Sequence, residues 1–175
     1  MKTNLQSKAS LLILSFLFFI WLIPVKGQDK FVISAGMGLP ELMNVDARYL
    51  VNQTQFGVGI GTFPVKDESI ISVTGDIYYH FAGSSKFSDR HTWYGRAGLD
   101  YLRDETNSIL DKYLYLNLRI GRDFNFSDKI GIEFDLGGMV QLYNETIHKV
   151  PQNGWEFGID SPVLPGISLG FFYRI

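Results

Sequence analysis

Tyr113-Leu-Tyr-Leu-Asn-Leu-Arg-Ile-Gly-Arg-Asp-Phe-Asn-Phe126 decides the fold. Leu114, Leu116, Leu118, Ile120, Phe124 and Phe126 fall on one face of an extended strand, and Tyr115, Asn117, Arg119, Gly121, Asp123 and Asn125 on the other. Successive strand side chains point to opposite faces, so this is a period of two held for fourteen residues. A soluble barrel would turn the greasy face inward, whereas a membrane barrel turns it outward and encloses the polar one.

The same pattern extends in both directions and predicts eight strands: Lys30–Leu39, Val45–Val51, Phe56–Phe63, Ile70–Phe81, Trp93–Glu105, Tyr113–Phe126, Ile130–Tyr143 and Gly166–Ile175. Turn chemistry separates them, at Pro40-Glu41, Asn52-Gln53, Pro64 to Ser69, Gly83-Ser-Ser85, Ser127-Asp-Lys129 and Pro151 to Pro165. No apolar stripe at helical spacing persists for three turns. The expectation is an all-β, antiparallel, up-and-down barrel over residues 28–175.

Ahead of it stands an export signal. Met1 to Ser10 carries Lys2 and Lys8 and no acid, and Leu11 to Ile23 is thirteen residues with only Ser15 polar. Pro24-Val-Lys-Gly27 follows, and cleavage is expected after Gly27. Thirteen apolar residues are too few to span roughly 30 Å of hydrocarbon as a helix. Cleavage would leave 148 residues carrying 13 basic and 18 acidic side chains, a net charge of −5 that argues against nucleic acid as a partner. Without cysteine, no disulfide holds this exported chain together.

The charges choose between the two orientations. The polar face carries Arg48, Asp76, Arg96, Asp100, Arg119, Asp123, Glu133, Asp135 and Arg174, which are short acids and arginines. The six lysines beyond Gly27 fall instead at expected strand ends and turns. A solvated sheet surface uses lysine freely; a narrow lumen favours arginine forks locked to carboxylates. A network such as Arg119, Asp123, Glu133 and Arg96 is therefore expected inside, with His80 beside Asp76. On the greasy face Phe31, Tyr49, Phe56, Tyr79, Phe81, Trp93, Phe124, Phe126 and Tyr173 gather towards the end that holds both termini, as an aromatic girdle at a headgroup interface would. The girdle at the other end is thin, with Tyr101 its clearest member.

At this point the chain resembles the small eight-stranded outer-membrane β-barrel family, the OmpA-like and OmpX-like membrane domains, over roughly Lys30 to Ile175. The likeness rests on the export signal, the eight alternating strands and the closing segment Gly166-Ile-Ser-Leu-Gly-Phe-Phe-Tyr-Arg-Ile175. Family members usually end on an aromatic, where this chain has Ile175. The resemblance implies a Gram-negative outer membrane, with outer-membrane lipid and the barrel-insertion machinery as partners. The family spans adhesins, structural barrels and a few lipid A-modifying enzymes, so fold alone does not assign a role.

No catalytic, cofactor or metal set emerges. His80, His91 and His148 lie far apart, and a deacylase-type His and Ser two residues apart on a strand is absent. Gly57-Val-Gly-Ile-Gly61 lacks the lysine of a phosphate loop and reads as relief of crowding inside a narrow barrel. The expected function is a non-enzymatic barrel with a plugged polar lumen. The alternatives are a soluble lipocalin-like barrel holding an apolar ligand, a lipid A-modifying barrel enzyme, or a narrow pore. Strand parity puts the connection at residues 144–165 on the outer side, with Trp155 and Phe157 as anchors for a surface ligand. The turn Ala82–Thr92, on the terminal side, is eleven residues long with no reason visible in the sequence.

Overall fold

The computed structural model describes residues 30–65, 68–149 and 163–175. The expected export signal, and Trp155 and Phe157 in the last long connection, lie outside the described residues.

Eight antiparallel strands close into one barrel in chain order: β1 (Phe31–Leu39), β2 (Leu42–Val51), β3 (Thr54–Val65), β4 (Glu68–Ala82), β5 (Trp93–Thr106), β6 (Ile109–Asn125), β7 (Ile130–His148) and β8 (Val163–Arg174). Closure comes from β1 pairing with β8, with Val32 opposite Arg174 and Gly38 opposite Ser168. No edge strand is left to pair with another chain. Among the described residues there is no helix.

Alternation sets which face looks where. Ile33, Met37, Val45, Ile60, Val73, Leu118, Ile120, Leu136 and Leu169 are all exposed on the outer surface. Ser34, Arg48, Asp76, Arg96, Asp100, Asn117, Arg119, Asp123, Glu133 and Asp135 are all buried inside. This reverses the usual arrangement of a soluble domain, in which charged residues are almost never fully buried. It also removes the lipocalin-like alternative, because the enclosed face is charged rather than apolar.

The strands on the far side from the termini are longer than expected. β6 begins four residues before Tyr113, and β7 continues five beyond Tyr143. A bulge conceals the extension from sequence: Leu114 pairs with Tyr143 while Tyr115 pairs with Gln141, so Leu142 is an extra residue. Leu142 and Tyr143 both point outward, each 53% exposed, and the alternation restarts with opposite phase. Lys112, expected outside a strand, therefore lies within β6, where Nζ meets Glu145 at 2.8 Å.

The β1–β2 turn on that side is short. Pro40-Glu41 connects the strands, and Leu42 follows with φ of 65°, a left-handed backbone unusual for a branched side chain. Its surroundings must hold it there, and the lumen shows what does.

Candidate functional site

The candidate site is the barrel interior, where eight strands leave a bore that side chains can fill. Three charge clusters occupy it.

Nearest the middle of β2, Arg48 donates Nε to Asp46 at 2.7 Å and Nη1 to Glu133 Oε2 at 2.6 Å, with Nη2 on Glu133 Oε1 as well. Ser34 donates to Asp46 at 2.5 Å and receives Arg48 Nη2 at 2.9 Å. The fork is available because Gly57 sits opposite: a Cβ there would lie 3.2 Å from Arg48 Cγ and 3.4 Å from a Tyr78 ring carbon. The glycines of Gly57-Val-Gly-Ile-Gly61 face inward against these side chains.

The second cluster is built around a residue that the strand pattern does not contain. Glu41, from the β1–β2 turn, is fully buried and reaches into the lumen, its Oε1 2.7 Å from both Arg96 Nη2 and Arg119 Nη2. Arg96 also binds Asp76 through two nitrogens, each at 2.8 Å, and approaches Asp135 at 3.5 Å. Arg119 pairs with Asp135 at 3.0 Å and donates to Asn117 Oδ1 and the Leu39 carbonyl. The strained Leu42 backbone is thus offset by two ion pairs that its neighbour Glu41 makes, and the turn is drawn down over the bore.

At the terminal end a second turn residue enters. Arg90, from the Ala82–Thr92 turn, is buried and holds Asp123 at 2.8 Å. Gln53 ties the same turn down, accepting from the His91 amide at 3.0 Å and donating to the Asp89 carbonyl at 3.3 Å. Arg90 lies outside the strands, and burial lowers its pKa below the usual arginine range while Asp123 pulls it back up. Arg174 caps the cluster with hydrogen bonds to Asn125 and the Asp128 carbonyl. The length of this turn has a structural reason: it carries Arg90 inward to Asp123, and a two-residue hairpin could not deliver an arginine to the bore.

Tyr78 joins two clusters, with Arg48 4.4 Å and Arg96 5.2 Å from its ring centroid. Tyr94 packs edge-on to Tyr78 and donates to Asp135 at 3.2 Å.

Several expected pairings are different. Asp123 and Glu133 do not partner Arg96 or Arg119; they belong to Arg90 and Arg48. His80 lies four residues from Asp76 on one strand, roughly 13 Å along the chain and out of reach, and its Nδ1 meets the His91 carbonyl at 2.8 Å instead. Asp100 is buried, yet its carboxylate oxygens find no hydrogen-bond partner among the described residues. Glu41 and Arg90 carry no sequence signal, because turn residues have no face parity.

The nine aromatic residues expected as a girdle are all exposed on the outer surface, with Phe31, Tyr49 and Phe56 level across three strands. β7 adds Phe134, exposed and paired across from Arg122. At the other end Tyr143 joins Tyr101 as an exposed aromatic.

A closed eight-stranded antiparallel barrel, apolar outside and charged within, has the fold of the small outer-membrane barrels. Among solved structures the chain is similar to the N-terminal β-barrel domain of Pseudomonas aeruginosa OprF, with a TM-score of 0.58 over 86% of this chain and 100% of that one. Identity is 16%, so the likeness is one of fold. No family model and no curated protein matches the sequence.

Proposed function

We propose that the mature chain is an outer-membrane β-barrel with a filled polar lumen, serving a non-enzymatic structural or surface-interaction role. The observation that carries this is the inverted distribution of side chains: an outer wall made mostly of exposed Ile, Leu, Val and aromatic residues around a core of arginines and carboxylates. In water such a wall would far exceed the apolar patches that monomers tolerate; in hydrocarbon it is the favourable surface.

Dimensions agree. From Trp93 to Tyr101 is eight residues of β5, roughly 20 Å of height at a strand tilt near 40°, close to the apolar band of such barrels. Beyond Tyr101 and Tyr143 the strands carry Arg103, Glu105, Lys112 and Glu145, and these segments stand clear of the band. Glu41 and Arg90 stop the bore from opposite ends, which favours a structural barrel over a conducting one.

Cell fractionation tests the reading. The mature protein should be recovered in the outer membrane and should migrate differently on gels when left unboiled. Recovery as a detergent-free soluble periplasmic monomer would contradict it.

A further inference from the structure

The outer wall is not uniformly bulky. Along β5 the outward residues run Trp93, Gly95, Ala97 and Leu99, so two consecutive positions carry almost no side chain. Their cross-strand neighbours are large: Tyr79 and Ile77 on β4, Ile120 and Leu118 on β6. Four bulky side chains thus flank a floor of glycine and alanine, part of an open groove of about 810 Å³ that runs on to Leu136 and Gly137 of β7. A Cβ added at Gly95 would meet nothing within 4 Å, so the space is genuinely open.

The lower end of this groove is marked by a cation. Trp93 closes it, and the guanidinium of Arg122 lies 5.3 Å from the Trp93 ring centroid and 5.1 Å from that of Phe124. Arg122 is exposed on the outward face of β6, directly across from Trp93, on a wall that is otherwise apolar. Among the described residues it has no carboxylate partner, whereas the lumen arginines described above are all paired. Two aromatic rings flank its guanidinium, and no hydrogen bond to another described residue takes up its donors.

We propose that the groove and Arg122 together form a site for one phospholipid: an acyl chain lies over Gly95 and Ala97, and the headgroup phosphate is held by Arg122. This rests on the membrane reading above. Three features select that occupant. The Gly95–Ala97 floor of the groove spans two strand spacings from β4 to β6, roughly 10 Å before side chains narrow it, which suits one hydrocarbon chain and not the convex wall of a second barrel. Its charged end coincides with the aromatic girdle, the depth at which phosphates sit. A planar guanidinium matches phosphate through paired donors, and here it lacks an acidic residue to neutralise it.

The test uses the full mature barrel, refolded into vesicles of phosphatidylethanolamine and phosphatidylglycerol, extracted into non-ionic detergent and weighed by native mass spectrometry. One phospholipid per barrel should be retained. Gly95→Leu, which fills the groove, and Arg122→Gln, which removes the charge, should each lower retention about tenfold or more, the scale of one charge-assisted contact or one excluded chain. Val58→Leu, on the wall of β3, should leave it unchanged. Every variant should keep the unboiled gel shift, which separates loss of lipid from loss of fold. Unchanged retention in both groove variants would overturn the site, as would a retained mass equal to a second copy of the chain. Failure of the parent barrel to enter vesicles at all would overturn the membrane reading and the site with it.

Discussion

Glu41 is one carboxylate between two guanidinium groups, and removing it would leave Arg96 and Arg119 to share Asp76 and Asp135 alone. Breaking a buried pair from one side costs on the order of 3–5 kcal/mol, because the remaining charge is stranded. Glu41→Ala should therefore lower barrel stability by about that much in urea unfolding followed by the gel shift. Arg103→Ala removes a partner of Glu105 from a pair with side chains 43% and 32% exposed, where solvent screens the attraction, and should cost far less. Equal losses in the two variants would contradict the lumen assignment. Sequence exposes only part of this chemistry. The strand-borne charges declare their face through parity, whereas Glu41 and Arg90 sit in turns, where direction follows from local backbone such as the left-handed Leu42. Arg122 lies on the outward face of β6 by the same parity, and the flanking Trp93 and Phe124 rings give it a setting there.

At the scale of elements, the most legible strands are those whose two faces differ most in chemistry. β4 and the Leu116–Phe124 part of β6 alternate without interruption. The least legible stretch is the far end of β6 and β7, where the Leu142 bulge reverses the phase and both faces become polar above the aromatic band. That end is held by surface chemistry: Lys112 pairs with Glu145, and Lys149 pairs with Glu105, each at 2.8 Å. The Lys149 hydrogen bond and the neighbouring Arg103 charge hold the Glu105 carboxyl below its ordinary value of 4.5, and the Lys112 hydrogen bond and charge do the same for Glu145. A depressed folded pKa contributes stability that is present above the ordinary value and lost as pH falls through the folded one. The β6–β7 tip should accordingly loosen on acidification below pH 4.5, seen as faster amide exchange at residues 109–112 and 145–148, while the strands between the girdles stay protected. Unchanged exchange at the tip through that window would show that these pairs do not hold it.

For the whole molecule, closure, face polarity and aromatic placement all describe one object, an inside-out barrel. Three charge clusters line its interior, centred on Arg48 from the strands, Glu41 from one end and Arg90 from the other. The number of strands and the side on which each face lies follow from a period of two and from where lysine is absent. The inward-reaching turns follow only from three-dimensional closure, since Glu41 and Arg90 meet residues far away in the chain. Because the chain contains no cysteine, single cysteines can be introduced and spin-labelled without background. The most direct measurement is the accessibility of such labels along Tyr113 to Phe126 in lipid vesicles, read with oxygen as the lipid-phase relaxant and a nickel chelate as the aqueous one. Labels at Leu116, Leu118 and Ile120 should be accessible to oxygen and shielded from nickel, and a label replacing the inward Tyr115 side chain shielded from both. Nickel access to Leu116, Leu118 and Ile120 would contradict the account, because the greasy face would then meet water instead of lipid.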